Sequence, residues 1–124
     1  MTTCIRFSFL LALIGLSTYV FGQSVQIASF ESDQYGGPSK GVEYNGKLYF
    51  SAWDAATGSE LWVTDGTAQG TYMLRDCVHG AEGSVFYEVT KVGYMLYFIG
   101  GNGAALWRSD GTNQGTTAVQ TFQV

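Results

Sequence analysis

Proline occurs once in this chain of 124 residues, cysteine twice and histidine once. Each scarcity excludes something. Two cysteines, Cys4 and Cys77, build no disulfide framework, so the fold must hold by burial alone. One histidine, His79, leaves few ways to assemble a general base or a zinc site. Positive charge is also scarce: Lys and Arg total 6 against 10 Asp and Glu, for a net charge of −4. Nucleic-acid binding wants a basic stripe and anionic lipid wants a basic patch, and neither is present. Charged residues are only 13% and hydrophobic ones 46%, which excludes a disordered chain. No stretch after residue 22 carries a 3.6-residue apolar period, so amphipathic helices are not expected there. What remains abundant is glycine, at 17 residues, and aromatics, at 15%. That balance describes short strands joined by tight turns.

The N-terminus has a different character. Arg6 is followed by an apolar run from Phe7 to about Phe21, with Val20 and Gly22 three residues and one residue before a cleavage point. This is the layout of a secretory signal peptide over residues 1–22. The run is nearer 15 residues than the 20 or so a membrane-spanning helix needs, and no basic flank follows it. Export is therefore expected, to the outside or the cell envelope, with no transmembrane segment in the mature chain, residues 23–124. Losing Arg6 makes that remainder one charge more negative than the whole. Losing Cys4 leaves Cys77 alone, either free or paired between chains. We read it as a small apolar residue at a strand end.

The mature chain repeats itself. Leu61-Trp62-Val63-Thr64-Asp65-Gly66-Thr67-Ala68-Gln69-Gly70-Thr71 aligns with Leu106-Trp107-Arg108-Ser109-Asp110-Gly111-Thr112-Asn113-Gln114-Gly115-Thr116, identical at eight of eleven positions. Upstream, Leu48-Tyr49-Phe50 matches Leu96-Tyr97-Phe98. The offset is 45 in the first comparison and 48 in the second, and the difference falls in a loop, where length changes are tolerated. Each unit reads as four strands. In the first, about 42–76, Val42–Tyr44 meets an Asn45-Gly46 hairpin turn; Lys47–Trp53, Ser59–Thr64 and Thr71–Asp76 follow, with polar turns between. The second, about 85–122, opens with Val85–Val92. Its Met95–Ile99 is apolar at every position, which predicts a strand buried on both faces. An extra strand is expected near residues 25–30, where the last strand of a preceding unit would lie. Four short strands per period of 45–48 residues predict an all-β, propeller-like repeat of about two four-stranded units. One such sheet has two apolar faces and must stack on neighbours to bury them. Two units fall short of a ring, so they are expected to be part of a larger or self-assembled propeller.

Glu60-Leu61-Trp62-Val63-Thr64-Asp65-Gly66-Thr67, with Gly70-Thr71 and Asp76 behind it, resembles the ELWxxDGT repeat family of secreted bacterial proteins. Leu48-Tyr49-Phe50-Ser51-Ala52, Asp54 and Gly58 match the upstream part of that repeat. The second unit departs from it: Ala105 stands in place of Glu, Thr121 in place of the closing Asp, and Gly100-Gly101-Asn102-Gly103 in place of the Asp-containing loop. The resemblance implies a propeller-like fold on an exported chain, and no defined activity.

Three groups of residues are candidates for chemistry. Asp65 and Asp110 suit Asx-turns, in which the carboxylate accepts the N–H two residues on and the next glycine supplies positive φ. The alternative is calcium, a hard cation that takes oxygen ligands; it needs six or more, and one Asp per turn falls short. Asp54 with Thr57 has the same two readings. Trp62 and Trp107, equivalent by repeat, are expected to pack between units. Trp53 is not repeated and adjoins Asp54 in a loop, so Trp53 and Asp54 are the candidate ligand-binding pair. Cys77 and His79 are the last group. No nucleophile, base and orienting group can be assembled around them, so no catalytic residue is named and the chain is not expected to be an enzyme. No cofactor is expected beyond the calcium alternative. The expected function is a non-catalytic secreted or cell-surface module that makes protein or surface contacts, self-association among them. The alternative is a carbohydrate-binding propeller that uses Trp53 and Asp54.

Overall fold

The computed structural model describes residues 2–8, 24–31, 38, 40–80, 89–101 and 105–122. The described residues hold strands and turns and no helix: the molecule is all-β. β1 (Thr2–Ser8) and β2 (Ser24–Glu31) pair antiparallel. β3 (Val42–Tyr44), β4 (Lys47–Asp54), β5 (Gly58–Thr64) and β6 (Tyr72–Arg75) form the first unit. β7 (Thr90–Val92), β8 (Met95–Gly100), β9 (Ala105–Ser109) and β10 (Thr117–Thr121) form the second. Each unit is an antiparallel meander in which every strand pairs with its neighbour in the chain. Of the expected Val85–Val92 strand, Thr90–Val92 is a strand and residues 85–88 lie outside the described residues. The expected leader begins as β1; residues 9–23, which include its cleavage point, lie outside them too.

Turn chemistry fixes the first hairpin. Asn45 and Gly46 both take positive φ, 50° and 72°, as a type I′ turn requires. The register that follows places Tyr49 opposite Val63, Phe50 opposite Trp62 and Ser51 opposite Leu61. Because side chains alternate, Tyr49, Leu61 and Val63 share one face of the sheet, and Leu48, Phe50 and Trp62 share the other.

The sheets stack as three layers. On one side of the first unit, Tyr44, Tyr49, Leu61, Val63 and Leu74 form a core with Leu96 and Phe98 of the second unit, and Trp107 packs against it. On the other side, Phe50 and Ala52 pack against Phe30 of β2, with Ala28, Leu48 and Trp62 around them. Phe30 meets Phe50 and Trp62 edge-on, at centroid distances of 5.7 and 4.9 Å. The expected extra strand is therefore a layer laid over one face of the first unit.

The stacking has a direction. Leu96, Phe98 and Trp107 are the repeat equivalents of Leu48, Phe50 and Trp62. The second unit thus applies its Leu-Phe-Trp face to the Tyr49-Leu61-Val63 face of the first. Hydrogen bonds fix the arrangement. The Tyr49 hydroxyl donates to the Gly111 carbonyl at 3.3 Å, and that of Tyr44 to the Tyr94 carbonyl at 2.6 Å. Asn113 Nδ2 donates to the Leu74 carbonyl at 2.7 Å, while Arg75 donates to the Asn113 carbonyl at 2.9 Å.

Met95–Ile99 departs from expectation. Leu96 and Phe98 are buried, but Met95, Tyr97 and Ile99 are only half-buried. Apolar residues at every position promised cover on both faces. The second unit has a neighbour among the described residues on one face only, so every other side chain stays partly open.

Candidate binding groove and open sheet face

Trp53 and Asp54, the candidate ligand-binding pair, come together in a groove of about 450 Å³ between β2 and the first unit. The turn at Asp54–Ala56 closes one end of the groove, Trp62 lies along it, and Ala68 and Thr71 border the other end. Successive turns of a meander lie at opposite ends of its sheet, so the groove runs the length of β5. Its fourth wall is Ile27–Phe30 of β2. The lining is mainly aromatic and small apolar, as in binding clefts generally.

Asp54 is engaged with its own turn. Its Oδ1 accepts the N–H groups of Ala56 and Thr57 at 2.8 and 2.9 Å, and Oδ2 accepts the Thr57 hydroxyl at 2.7 Å. Partial burial works to raise its pKa, but these three donors together bring it below the ordinary carboxylate value. Trp62 borders the groove with a buried indole N–H that has no partner. The same is true of Trp107 inside the stack, so the orphaned donor is a feature of the repeat.

The two Asp-Gly-Thr turns are copies of each other. Asp65 Oδ1 accepts the Thr67 N–H at 2.9 Å and its hydroxyl at 2.7 Å; Asp110 and Thr112 repeat both distances. The same hydroxyls accept the Gly70 and Gly115 N–H groups, each at 2.9 Å. Gly66 and Gly111 take φ of 92° and 91°. A Cβ on Gly70 or Gly115 would collide with the Asp carboxylate folded over it, which explains the second glycine of the motif. Hydrogen bonds from the Thr side chains are the leading cause that holds both carboxyls below their usual pKa. These carboxylates are used inside their turns. Among the described residues no group of three or more His, Cys, Asp and Glu could hold a metal ion.

Glu60 is the residue whose role its sequence context did not disclose. It is fully buried, and its carboxylate accepts the Cys77 N–H at 2.8 Å and the Val78 N–H at 3.3 Å. It holds the connector between the units. Burial pushes its pKa up to about 7 against the pull of those donors, with Asp76 adding repulsion. The signal for it was present in the repeat: Ala105 and Thr121 replace both Glu60 and Asp76 in the second unit, so the pair is lost together.

Cys77 and His79 are not brought together as a nucleophile and base. Cys77 Sγ lies 3.9 Å from the Arg75 carbonyl, and burial, then the Glu60 charge, push its thiol up to about 12. His79 is exposed, and its Nδ1 lies 3.0 Å from Asp76 Oδ2. A thiol held this far from ionisation is a poor nucleophile.

The second notable surface is the outer face of the second unit. Tyr44 and Leu74 are 6% and 4% exposed under the second unit, whereas their repeat equivalents, Val92 and Val119, are 59% and 50% exposed. Tyr97, Ile99 and Leu106 lie between them, half-buried, and Phe122 follows, exposed. Single exposed apolar residues are ordinary, and here several lie together on one sheet face. No helix among the described residues is long and apolar enough to cross a membrane. Comparison with protein-family models, with curated proteins and with solved structures gives no match to this chain.

Proposed function

We propose that this chain is a non-catalytic, exported β-repeat module that makes protein contacts at or outside the cell envelope. The observation that carries the reading is the asymmetry of the stack. The face of the first unit that carries Tyr49, Leu61 and Val63 is sealed by the second unit. The equivalent face of the second unit, with Val92, Tyr97, Ile99, Leu106 and Val119, is open among the described residues. The leader-like N-terminus and the likeness of the motif to ELWxxDGT repeats support export. The test is a photo-crosslinking residue at position 119, with the exposed position 43 of β3 as control, in cells that export the chain. Adducts at 119 in excess of 43, on a chain whose N-terminus is Gln23, are expected. Equal labelling at the two positions, or a chain retained with Met1, would discard the reading.

A second reading has its own support. Trp53, Asp54 and Trp62 all line the groove, and paired tryptophans are a sugar-stacking platform. It predicts a change in tryptophan fluorescence on adding a glycan, lost in Trp53→Ala. Silence across a broad glycan panel removes it.

A further inference from the structure

A basic cleft lies at the seam between the units, where β3 and β7 come together. Its volume is about 210 Å³. Lys40, Gly41 and Val42 line it from the first unit, and Val89, Thr90 and Lys91 from the second. Pockets for drug-sized ligands run to about 300–1,000 Å³, so this one suits a single small group.

Both lysines belong to the seam. Lys91 stands opposite Leu96, and opposed side chains share a face. Leu96 lies in the core between the units, so Lys91 is on the side of the second unit that meets the first. Its Nζ lies 5.8 Å from the centroid of the Tyr44 ring, within cation–π range across the seam. On the first unit, Tyr44 is in that same core and Val42 packs against it. Lys40, two residues before Val42, lines the cleft.

The repeat does not call for these lysines. Val42 pairs with Tyr49 as Thr90 pairs with Tyr97, which makes positions 48 apart equivalent. Glu43 is therefore the counterpart of Lys91, and in the sequence Glu88 is the counterpart of Lys40. The lysines occupy different register positions in their own units and meet only here. No carboxylate of the described residues lines the cleft. Among those residues neither lysine has an acidic partner, the ion pair being His79 with Asp76. A chain with 10 acidic residues against 6 basic ones thus gathers two of its cations at one cleft. The backbone adds donors: β3 and β7 are the outermost strands of their sheets, so one edge of each has N–H groups that no described strand takes up.

We propose that this cleft binds a doubly charged tetrahedral oxyanion, a phosphate or sulfate group, between Lys40 of the first unit and Lys91 of the second. Two ammonium groups from opposite walls match two negative charges, and charge-assisted bonds to strand-edge N–H groups complete the contact. The site lies apart from the groove beside Trp62 and from the open face of the second unit, and it does not rest on the contact-module reading. Because its walls come from different units, a bound anion ties the stack together and stabilises it by mass action.

The experiment titrates the isotope-labelled full chain with inorganic phosphate and follows amide chemical shifts. Ionic strength is held constant with sodium chloride, at about pH 8, above the second phosphate pKa. Saturable shifts are expected at Gly41, Val42, Thr90 and Lys91, in the millimolar range because both lysines are exposed. Lys40→Gln and Lys91→Gln should each weaken binding roughly fivefold. Lys91→Arg, which keeps the charge, should weaken it by about twofold at most. Lys47→Gln, at an exposed lysine of the β3–β4 hairpin, should change nothing. Acetate, with one charge, should bind about tenfold more weakly than phosphate. Phosphate should also raise the melting temperature of the wild type more than that of the Lys40→Gln, Lys91→Gln double variant, a difference that sets aside its general salt effect. Circular dichroism checks that each variant folds, and Lys40→Gln alone serves if Lys91→Gln does not. Shifts that never saturate, or that spread evenly over the surface, overturn the proposal. So does a double variant that binds like the wild type, or acetate that binds as tightly as phosphate. Phenyl phosphate binding as well as phosphate supports the site and assigns it to a group carried on a larger molecule; phosphate binding without phenyl phosphate supports it and assigns it to the free ion.

Discussion

The two units share a turn, a strand order and most of a motif, yet they sit in different environments. Leu61 is fully buried, while its equivalent Leu106 is half-buried. Val63 lies in the core, and Arg108, in the same register position, is exposed. β10 is exposed at every residue, where β6 buries Leu74. The local chemistry of a repeat unit is therefore self-sufficient, since both Asp-Gly-Thr turns close with the same bonds at the same distances. Its burial is not, because that depends on which neighbour lies above and below.

The comparison can be broken or sharpened by substitution. The largest difference is expected at the leucines. Leu61→Ala should cost about 2–5 kcal/mol of stability, the range for a fully buried site. Leu106→Ala should cost less than about half as much in the monomer, since its cavity opens to solvent. Chemical denaturation of both variants checks this, and equal losses would mean that the second unit's outer face is covered. Next come the glycines under the aspartates. Gly70→Ala and Gly115→Ala should each lower the melting temperature by similar amounts, because a Cβ at either position displaces the Asp carboxylate from its donors. A twofold disparity between them would show that the turns are not equivalent.

The third test concerns a feature that only the first unit has. The pKa of buried Glu60 lies near 7 when folded, above its ordinary value of 4.5. Above pH 7 the charge is buried, and its full penalty acts. As pH falls from 7 towards 4.5 the folded state takes up the proton first, so stability should rise through that window. Asp54, Asp65 and Asp110 are held low and have the opposite sign, losing stability only below about pH 3.8. The melting temperature should therefore be higher at pH 5 than at pH 8, and Glu60→Gln should flatten that slope. A slope unchanged in the variant would remove Glu60 as its source. The smallest effect is expected at the seam between units: Asn113→Ala should lose about 0.5–1.5 kcal/mol, one hydrogen bond's worth, measurable by thermal melting.

Much of this was readable from residues alone. Asn45-Gly46 requires a type I′ turn, and the hairpin has one. Asp65 and Asp110 have side chains short enough to reach the N–H two residues on, so their Asx-turns are local matters. The all-β class and the four-strand unit follow from turn spacing. Strand burial was less legible. Met95–Ile99 read as buried on both faces because apolarity records what a strand can tolerate, not what covers it. Trp53 and Asp54 were read as a loop pair, whereas both lie at the end of β4; Trp62 was not singled out beside them, because its repeat equivalent lies inside the stack. Phe30 also escaped, since a strand 20 residues away announces nothing about which face it will cover. Glu60 was visible only as part of a motif, because a carboxylate's burial depends on donors 17 and 18 residues further on.

The sequence by itself determined the repeat, its turns and its strand order, because hydrogen bonds across two or three residues and a period of two along a strand are local physics. Only the tertiary structure decided that the units stack in one direction, that β2 lays Phe30 on Phe50 and Trp62 and borders a groove there, and that the Tyr97 face is open among the described residues. Burial is a relation between surfaces far apart in the chain, and no residue carries the identity of its neighbour within its own side chain.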